Sequence, residues 1–278
     1  MQFSKYHGLG NDYLVMEADA FNGLPSEAQI IRICHRNYGV GSDGILLGPL
    51  PSDTCDFGLK IFNPDGSEAE KSGNGLRIFS RYLFDTNRVT NEPFTIETLG
   101  GNVQAEVHGQ GDDVTVEMGR VTFDSSEIPV AGEKRDVLNE TLVIDGESLT
   151  VCCASVGNPH CVVLRDHVSE ADALRFGPHI ETHAQFPNRI NVQLLQVIDR
   201  ANITIQIWER GAGYTLASGS SSTAAAAVAH KLGLCDSAIT VHMPGGTLSI
   251  SFTPDFSATM TGPVTPVASG IISPDAFA

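Results

Sequence analysis

The residues predict an α+β protein of two pseudo-symmetric halves, each a curled β-sheet or barrel closed around one central helix. Three observations predict it. Short β-like runs fill the chain, only two long helical segments stand out, and those two helices begin with similar residues about half the chain apart.

In the first half the strand candidates are Tyr13–Glu17, Gly44–Leu47, Phe57–Phe62, Phe94–Thr98, Gly101–Val107 and Val114–Met118. In the second half they are Leu142–Ile144, Thr150–Ala154, Cys161–Leu164, Ile190–Val197, Asn202–Trp208, Ala238–His242 and Thr247–Phe252. Most are rich in Val, Ile, Thr and Phe and are bounded by Gly, Pro, Asn or Asp. The two main helices are expected over Asn74–Asp85 and Ser220–Leu232, with lesser ones over Ser26–Arg36 and Ser169–Leu174. The second main helix, SSSTAAAAVAHKL, has no charged face, so it should be buried all round. The division expected is 1–119, with 264–278 returning to it, and 120–263.

The chain has 278 residues, room for one large domain or two small ones at about 150 residues each. Its net charge of −16 repels nucleic-acid phosphates and anionic membrane, so neither is an expected partner. No apolar run approaches the roughly 18 residues of a membrane span, and the N-terminal residues do not read as a signal peptide. The expected location is the cytoplasm. The six cysteines form no CxxC pair, so no metal site is expected, and most should be small buried hydrophobes. Cys161 stands apart because it follows His160 in a polar turn.

The helix starts carry the chemistry. One reads Lys71-Ser72-Gly73-Asn74-Gly75 and the other Ala217-Ser218-Gly219-Ser220-Ser221. A helix start leaves backbone N–H groups unpaired and binds anions. Two such ends would clamp a carboxylate and present one hydroxyl each, although serine there is also an ordinary N-cap. Polar residues gather in glycine-rich turns: His7–Asp12, Asn63–Glu68, Gly157–His160 and Trp208–Gly213. Each alone reads as a turn; together they put Asn, Glu, Arg and His at strand ends, where sites are built.

In these residues and their order the chain resembles the diaminopimelate epimerase family. The landmarks are HGLGNDY, FNPDGSEAEKSGNGLRIFSRYL, TLGG, GNPHCVV, FPNRINV, WERGAGYTLASGSSSTAAAAV and PGGTLSI, in that order along nearly the whole chain. The resemblance implies a two-domain fold with the active site in the interdomain cleft. It also implies inversion at an amino-acid α-carbon with no cofactor and no metal. Two family cysteines, one removing the α-proton and one returning it, fall here on Ser72 and Ser218. The resemblance assigns α-carboxylate binding to Gly73, Asn74, Gly219 and Ser220. It assigns the distal amino-carboxylate end to Asn11, Asn63, Asn158, Asn191 and Arg210, and it places Glu209 and His160 beside the reacting centre. Arg210 favours a dicarboxylic amino acid, because a guanidinium grips a second carboxylate in bidentate fashion. Dimerisation is a family expectation only.

The two serines depart from the family pattern. A thiol ionises near pH 8.5, whereas a serine hydroxyl is far less acidic and needs an adjacent base. Four readings stand. The chain isomerises with help from Lys71, His160 or Glu209; it runs a different isomerase or lyase reaction; it binds an amino acid without turnover; or the serines were engineered. Lys71, Tyr214 and the serines at 220–222 also differ from the commonest members, which tells against the last.

Overall fold

The computed structural model describes residues 1–21 and 23–277. The chain divides into two compact units, Met1–Glu117 with Thr261–Ala278, and Met118–Met260.

The first unit begins with β1 (Gln2–Gly8) and β2 (Asn11–Met16), then α1 (Glu27–Cys34), β3 (Ile45–Leu50), β4 (Phe57–Phe62) and β5 (Glu68–Ala69). The central helix α2 (Gly73–Asp85) follows, then β6 (Phe94–Thr98), β7 (Gly101–His108) and β8 (Asp113–Arg120), in which the chain passes to the second unit. β1 and β2 form an antiparallel hairpin turning at Leu9 and Gly10, which take φ of 54° and 90°. β2 and β3 are parallel, with α1 between them in sequence; β4 and β6 are parallel, with α2 between them. β3–β4 and β6–β7–β8 are antiparallel.

The second unit contains β9 (Glu140–Ile144), β10 (Glu147–Ser155), β11 (Pro159–Leu164), α3 (Glu170–Glu181), β12 (Asn191–Asp199), β13 (Asn202–Glu209) and β14 (Gly213–Thr215). The central helix α4 (Gly219–Lys231), β15 (Ala238–Met243), β16 (Gly246–Phe252) and β17 (Ser257–Pro263) complete it, and β18 (Thr265–Ile271) pairs with β1 in the first unit. The pairing scheme repeats. β11 and β12 are parallel across α3, β13 and β15 are parallel across α4, and β10–β11, β12–β13 and β15–β16 are antiparallel. Strands β10 to β17 therefore restate β1 to β8.

Burial explains the two central helices. Leu76, Ile78, Phe79 and Leu83 of α2 are fully buried, and every residue from Ser221 to Ala229 of α4 is buried. Each large apolar side chain so buried contributes about 1.5–3 kcal/mol. The small side chains of α4, mostly Ala, Ser and Thr, let strands close on every face of it. In the first unit Leu14, Met16, Ile30, Ile33 and Ile45 pack β2, α1 and β3 together. In the second, Val163, Phe176, Ile180, Val192 and Leu194 do the same for β11, α3 and β12.

Five strands, β1, β5, β14, β17 and β18, go beyond the sequence reading. β5 and β14 have two and three residues, and β18 is almost wholly exposed and shows no alternation. α1 is shorter than expected, set at its start by a Ser26–Gln29 capping box and ending at Cys34. α3 runs seven residues past the expected stop at Leu174, through Gly177-Pro178. Gly177 is tolerated because a Cβ there would stand 2.4 Å from Cγ of Trp208, and the Thr182 hydroxyl donates to the Pro178 carbonyl at 2.9 Å.

Candidate active site

Ser72 and Ser218 are both N-caps. Each has extended backbone, φ −140° and −152°, and each side-chain oxygen accepts from the backbone N–H three residues on. The Gly75 N–H lies 3.0 Å from Ser72 Oγ, and the Ser221 N–H lies 3.4 Å from Ser218 Oγ. The cap uses a serine lone pair and leaves the hydroxyl proton to be donated elsewhere. The first two N–H groups of each helix, those of Gly73 and Asn74 and of Gly219 and Ser220, have no intrahelical acceptor by position. Each unit thus presents two backbone donors, a hydroxyl and the positive end of a helix dipole, a set suited to a carboxylate.

In the first unit Tyr13, buried in β2, places its hydroxyl 3.2 Å from Ser72 Oγ. Gly44 makes room for that ring; a Cβ there would meet Tyr13 Cε1 at 2.6 Å. Asn74 donates from Nδ2 to Asn11 Oδ1 at 3.0 Å, and Asn11 donates from Nδ2 to Asp43 at 2.9 Å. Behind Asn74, the fully buried Arg77 donates to Asn74 Oδ1 at 2.9 Å. Arg77 has only donors, so it must face the amide oxygen of Asn74, and the orientation of both asparagines follows. Burial lowers Arg77 to about 10, which leaves it charged at neutral pH. Asp43 and Asp12 close the chain with Arg36 and Lys5. Burial pushes the Asp12 carboxyl up, but hydrogen bonds from Arg36 and Lys5 outweigh it and hold it below its ordinary value.

Lys71 is half-buried beside Ser72, and burial lowers its ammonium, opposed by the Glu117 charge. It is not the solvated side chain that lysine usually is. Asn63 follows β4 in a turn and donates to the Ser67 hydroxyl at 3.0 Å.

In the second unit Asn158 donates to the Ser220 hydroxyl at 3.4 Å and pairs through Oδ1 with His160 Nε2 at 2.9 Å. His160 is fully buried. Burial lowers its pKa to about 3; the neighbouring Gln193 amide pulls upward without prevailing, and the Arg210 charge lowers it further. A neutral imidazole of that kind is a weak base near pH 7. Burial thus tells against His160 as a base near neutral pH, and its contact with Asn158 fits it to orient that residue. Gln193 Nε2 lies 2.9 Å from Ser221 Oγ, while Gln193 Oε1 and His160 Nδ1 have no hydrogen-bond partner among the described residues. Turning the Gln193 amide over serves both, with its nitrogen donating to His160 Nδ1 and its oxygen accepting from the Ser221 hydroxyl.

Asn191 was expected on the distal end of a ligand. Its Oδ1 accepts from the Arg210 N–H at 3.0 Å and its Nδ2 donates to the Pro159 carbonyl at 2.9 Å. Asn191 ties the Pro159 turn to the Arg210 turn, so its first role is to fix both. Arg210 is exposed, with one guanidinium nitrogen 3.1 Å from the Asn188 carbonyl. Glu209 ends β13 at the same turn. Cys161 is fully buried opposite Cys153, and the hydrogen bond between the two thiols, with burial, raises Cys153 far above the ordinary thiol value. These are core groups.

The structure adds residues the sequence reading missed: Tyr13, Asp43, Arg77, Glu181 and Gln193. Tyr13 lies inside a landmark motif, but its reach to Ser72 depends on the pairing of β2 with β3. Among the described residues no cluster of three or more His, Cys, Asp or Glu could hold a metal, and no helix is long and apolar enough to cross a membrane.

This fold is that of amino-acid racemases and epimerases. A solved hydroxyproline epimerase from Agrobacterium vitis covers 99% of this chain and 93% of its own at a TM-score of 0.67 and 15% identity. The diaminopimelate epimerase model matches residues 3–123 and 152–267, and the chain belongs to that family. Diaminopimelate epimerase 2 from Nostoc sp. is 56% identical over 278 residues, 100% of this chain and 98% of that one. The diaminopimelate epimerase from Moorella thermoacetica is 40% identical over 277 residues, 97% and 98% of the two chains.

Proposed function

We propose that the chain inverts the α-carbon of diaminopimelate, or of a closely similar dicarboxylic amino acid, without a cofactor. The observation that carries this reading is the repeated serine-capped helix start, with its hydroxyl and two backbone donors that have no intrahelical acceptor, once in each unit. In this reading Gly73, Asn74, Gly219 and Ser220 hold the α-carboxylate. Asn11, Asn63, Asn158 and Arg210 serve the distal end, with Asn191 fixing the Arg210 turn. Ser72 and Ser218 carry the proton to and from opposite faces of the α-carbon, with Glu209 beside them. Tyr13 and the desolvated Lys71 are the groups next to Ser72 that can share the proton a hydroxyl releases reluctantly. A cytoplasmic location in lysine biosynthesis and a homodimer belong to the same reading.

The test is incubation with LL-diaminopimelate in D2O, following the α-hydrogen signal by NMR. Loss of the signal together with appearance of the meso isomer supports the proposal. An unsaturated product absorbing in the ultraviolet would mark a lyase. Binding with no exchange on this or any other amino acid would leave an amino-acid-binding protein and overturn the epimerase reading.

A further inference from the structure

Glu181, the last residue of α3, is a buried carboxylate, 4% exposed, that no part of the reading above uses. Its Oε2 accepts from the indole Nε1–H of Trp208 at 2.7 Å, and its Oε1 accepts from the backbone N–H of Gly211 at 2.8 Å. The Arg189 guanidinium closes on Oε1 as well. Arg189 is itself held at φ 60°, a conformation uncommon for a residue with a side chain, two positions before Asn191. Trp208 and Gly211 bracket Glu209 and Arg210. One carboxylate therefore clamps the turn on both sides of the two residues that the proposed function needs.

The other unit shows that the fold does not require this clamp. The pairings Val192↔Trp208 and Ile45↔Phe62 make Phe62 the counterpart of Trp208, and the Phe62 ring has no N–H to donate. At the corresponding corner, the end of α1, the residue is Cys34, whose thiol meets the Ser42 hydroxyl at 3.4 Å, while the nearby Arg36 pairs with Asp12 and Asp43. A buried carboxylate at the position where the repeat carries a thiol is costly unless it serves the turn.

We propose that Glu181 is a positioning residue that sets Glu209 and Arg210 for the substrate by clamping Trp208 and Gly211 from below. The inference rests on the proposed roles of Glu209 and Arg210. Gln at position 181 keeps the shape, but it has one neutral acceptor oxygen where the carboxylate has two charged ones, so one of the two clamped N–H groups is released and the other is held more weakly.

The experiment uses the whole chain and Glu181→Gln, with Trp208→Phe as a second variant that removes one bond from the other end. Trp208 is the only tryptophan, so its emission and its indole N–H signal report the clamp directly. In Glu181→Gln the indole and Gly211 amide signals should move upfield, and the Gly211 amide should exchange with solvent at least tenfold faster. KM for LL-diaminopimelate should rise about tenfold or more, with a smaller change in kcat. Glu181→Gln added to Arg210→Ala should cost nothing further. Trp208→Phe should show a smaller rise in KM with Gly211 still protected. Unchanged Gly211 exchange in a folded Glu181→Gln overturns the proposal, and so does strict additivity with Arg210→Ala. If the unaltered chain turns over nothing, the epimerase reading falls separately. The clamp is then judged from Gly211 exchange and from the Kd for LL-diaminopimelate read by Trp208 emission; an unchanged Kd overturns it.

Discussion

The two units build one scaffold twice and surround the same serine in opposite ways. Around Ser72 the support is charged: Arg77 fixes Asn74, Asn74 fixes Asn11, and Asn11 ends on Asp43 and its cations. Around Ser218 the support is neutral: Asn158, His160, Gln193 and Ser221. The pairings make the comparison position by position. β2 against β3 and β11 against β12 set Tyr13 opposite His160 and Leu46 opposite Gln193 in the repeat. Asn11–Asn74 and Asn158–Ser220 join corresponding positions with the bond reversed: Asn11 accepts from Asn74, whereas Asn158 donates to Ser220. The bond from Asn191 to the Arg210 N–H is absent from the first unit because neither partner is there: the counterpart of Asn191 is Gly44, which has no side chain, and that of Arg210 is Pro64, which has no N–H. The scaffold is set by apolar pattern and helix caps; the polar residues on it are free to differ, and the difference gives each serine its own surroundings.

The largest expected effect comes from restoring thiols. Ser72→Cys with Ser218→Cys should speed α-proton exchange about a hundredfold or more, because a thiol ionises near pH 8.5 and a hydroxyl does not. Single exchanges sharpen the comparison. Ser218 is 5% exposed in a neutral pocket, and apolar burial raises a thiol. Ser72→Cys should therefore react faster with iodoacetamide than Ser218→Cys. Equal rates would break the claimed asymmetry.

Acid stability comes next. Above about pH 6.5 an imidazole is neutral both folded and unfolded. Below that the unfolded chain takes up a proton that buried His160 refuses until about pH 3, so stability falls across this window and levels off beneath it. Each unit of that depression is worth about 1.4 kcal/mol. His160→Gln should flatten the acid limb of denaturant midpoints between pH 6.5 and 3. Asp12 in the first unit also loses its contribution in acid, but below the ordinary carboxylate range, as its lowered pKa requires. Tyr13→Phe, at the counterpart of His160, removes a phenol, which takes no proton in acid, and should leave the acid limb unchanged.

Arg77→Met should cost about 2–3 kcal/mol, the worth of a hydrogen bond to a buried charge, and should also raise KM as Asn74 and Asn11 lose their fixed orientation. Gln193→Leu, which brings the first unit's choice into the second, should cost less, about 1–2 kcal/mol. Denaturant midpoints rank the two. A larger loss for Gln193→Leu would mean that the neutral network, not the charged one, is the more demanding.

How much of this could be read from residues differs between scaffold and support. The two central helices, their serine caps and most strands follow from local pattern, since periodicity and capping are local. Strand β18 does not, because its residues are exposed and show no alternation. The support networks do not either. Arg77 lies inside a landmark motif, and nothing local says its guanidinium is fully buried. Glu181 sits beyond a Gly-Pro pair that reads as a helix stop, and Trp208, which makes the glycine necessary, lies far along the chain.

Gly177 gives the smallest and most local test. It lies one turn before Glu181, beneath the indole of Trp208, and a Cβ there would sit 2.4 to 2.7 Å from three indole-side atoms. The helix backbone cannot yield, so the ring must. Gly177→Ala should lower stability by about 1–2 kcal/mol, the cost of overpacking less the gain of removing a helical glycine. It should also red-shift the Trp208 emission as the indole moves off Glu181. The first unit carries Phe62 at the counterpart of Trp208 and no indole–carboxylate bond there, so the disturbance should stay in the second unit: amide signals of Arg210 and Gly211 should move, while those of Asn63 and Asp65 should not. Movement of Asn63 and Asp65 in Gly177→Ala would show that the two turns are not independently supported, and the division of labour between the halves would have to be redrawn.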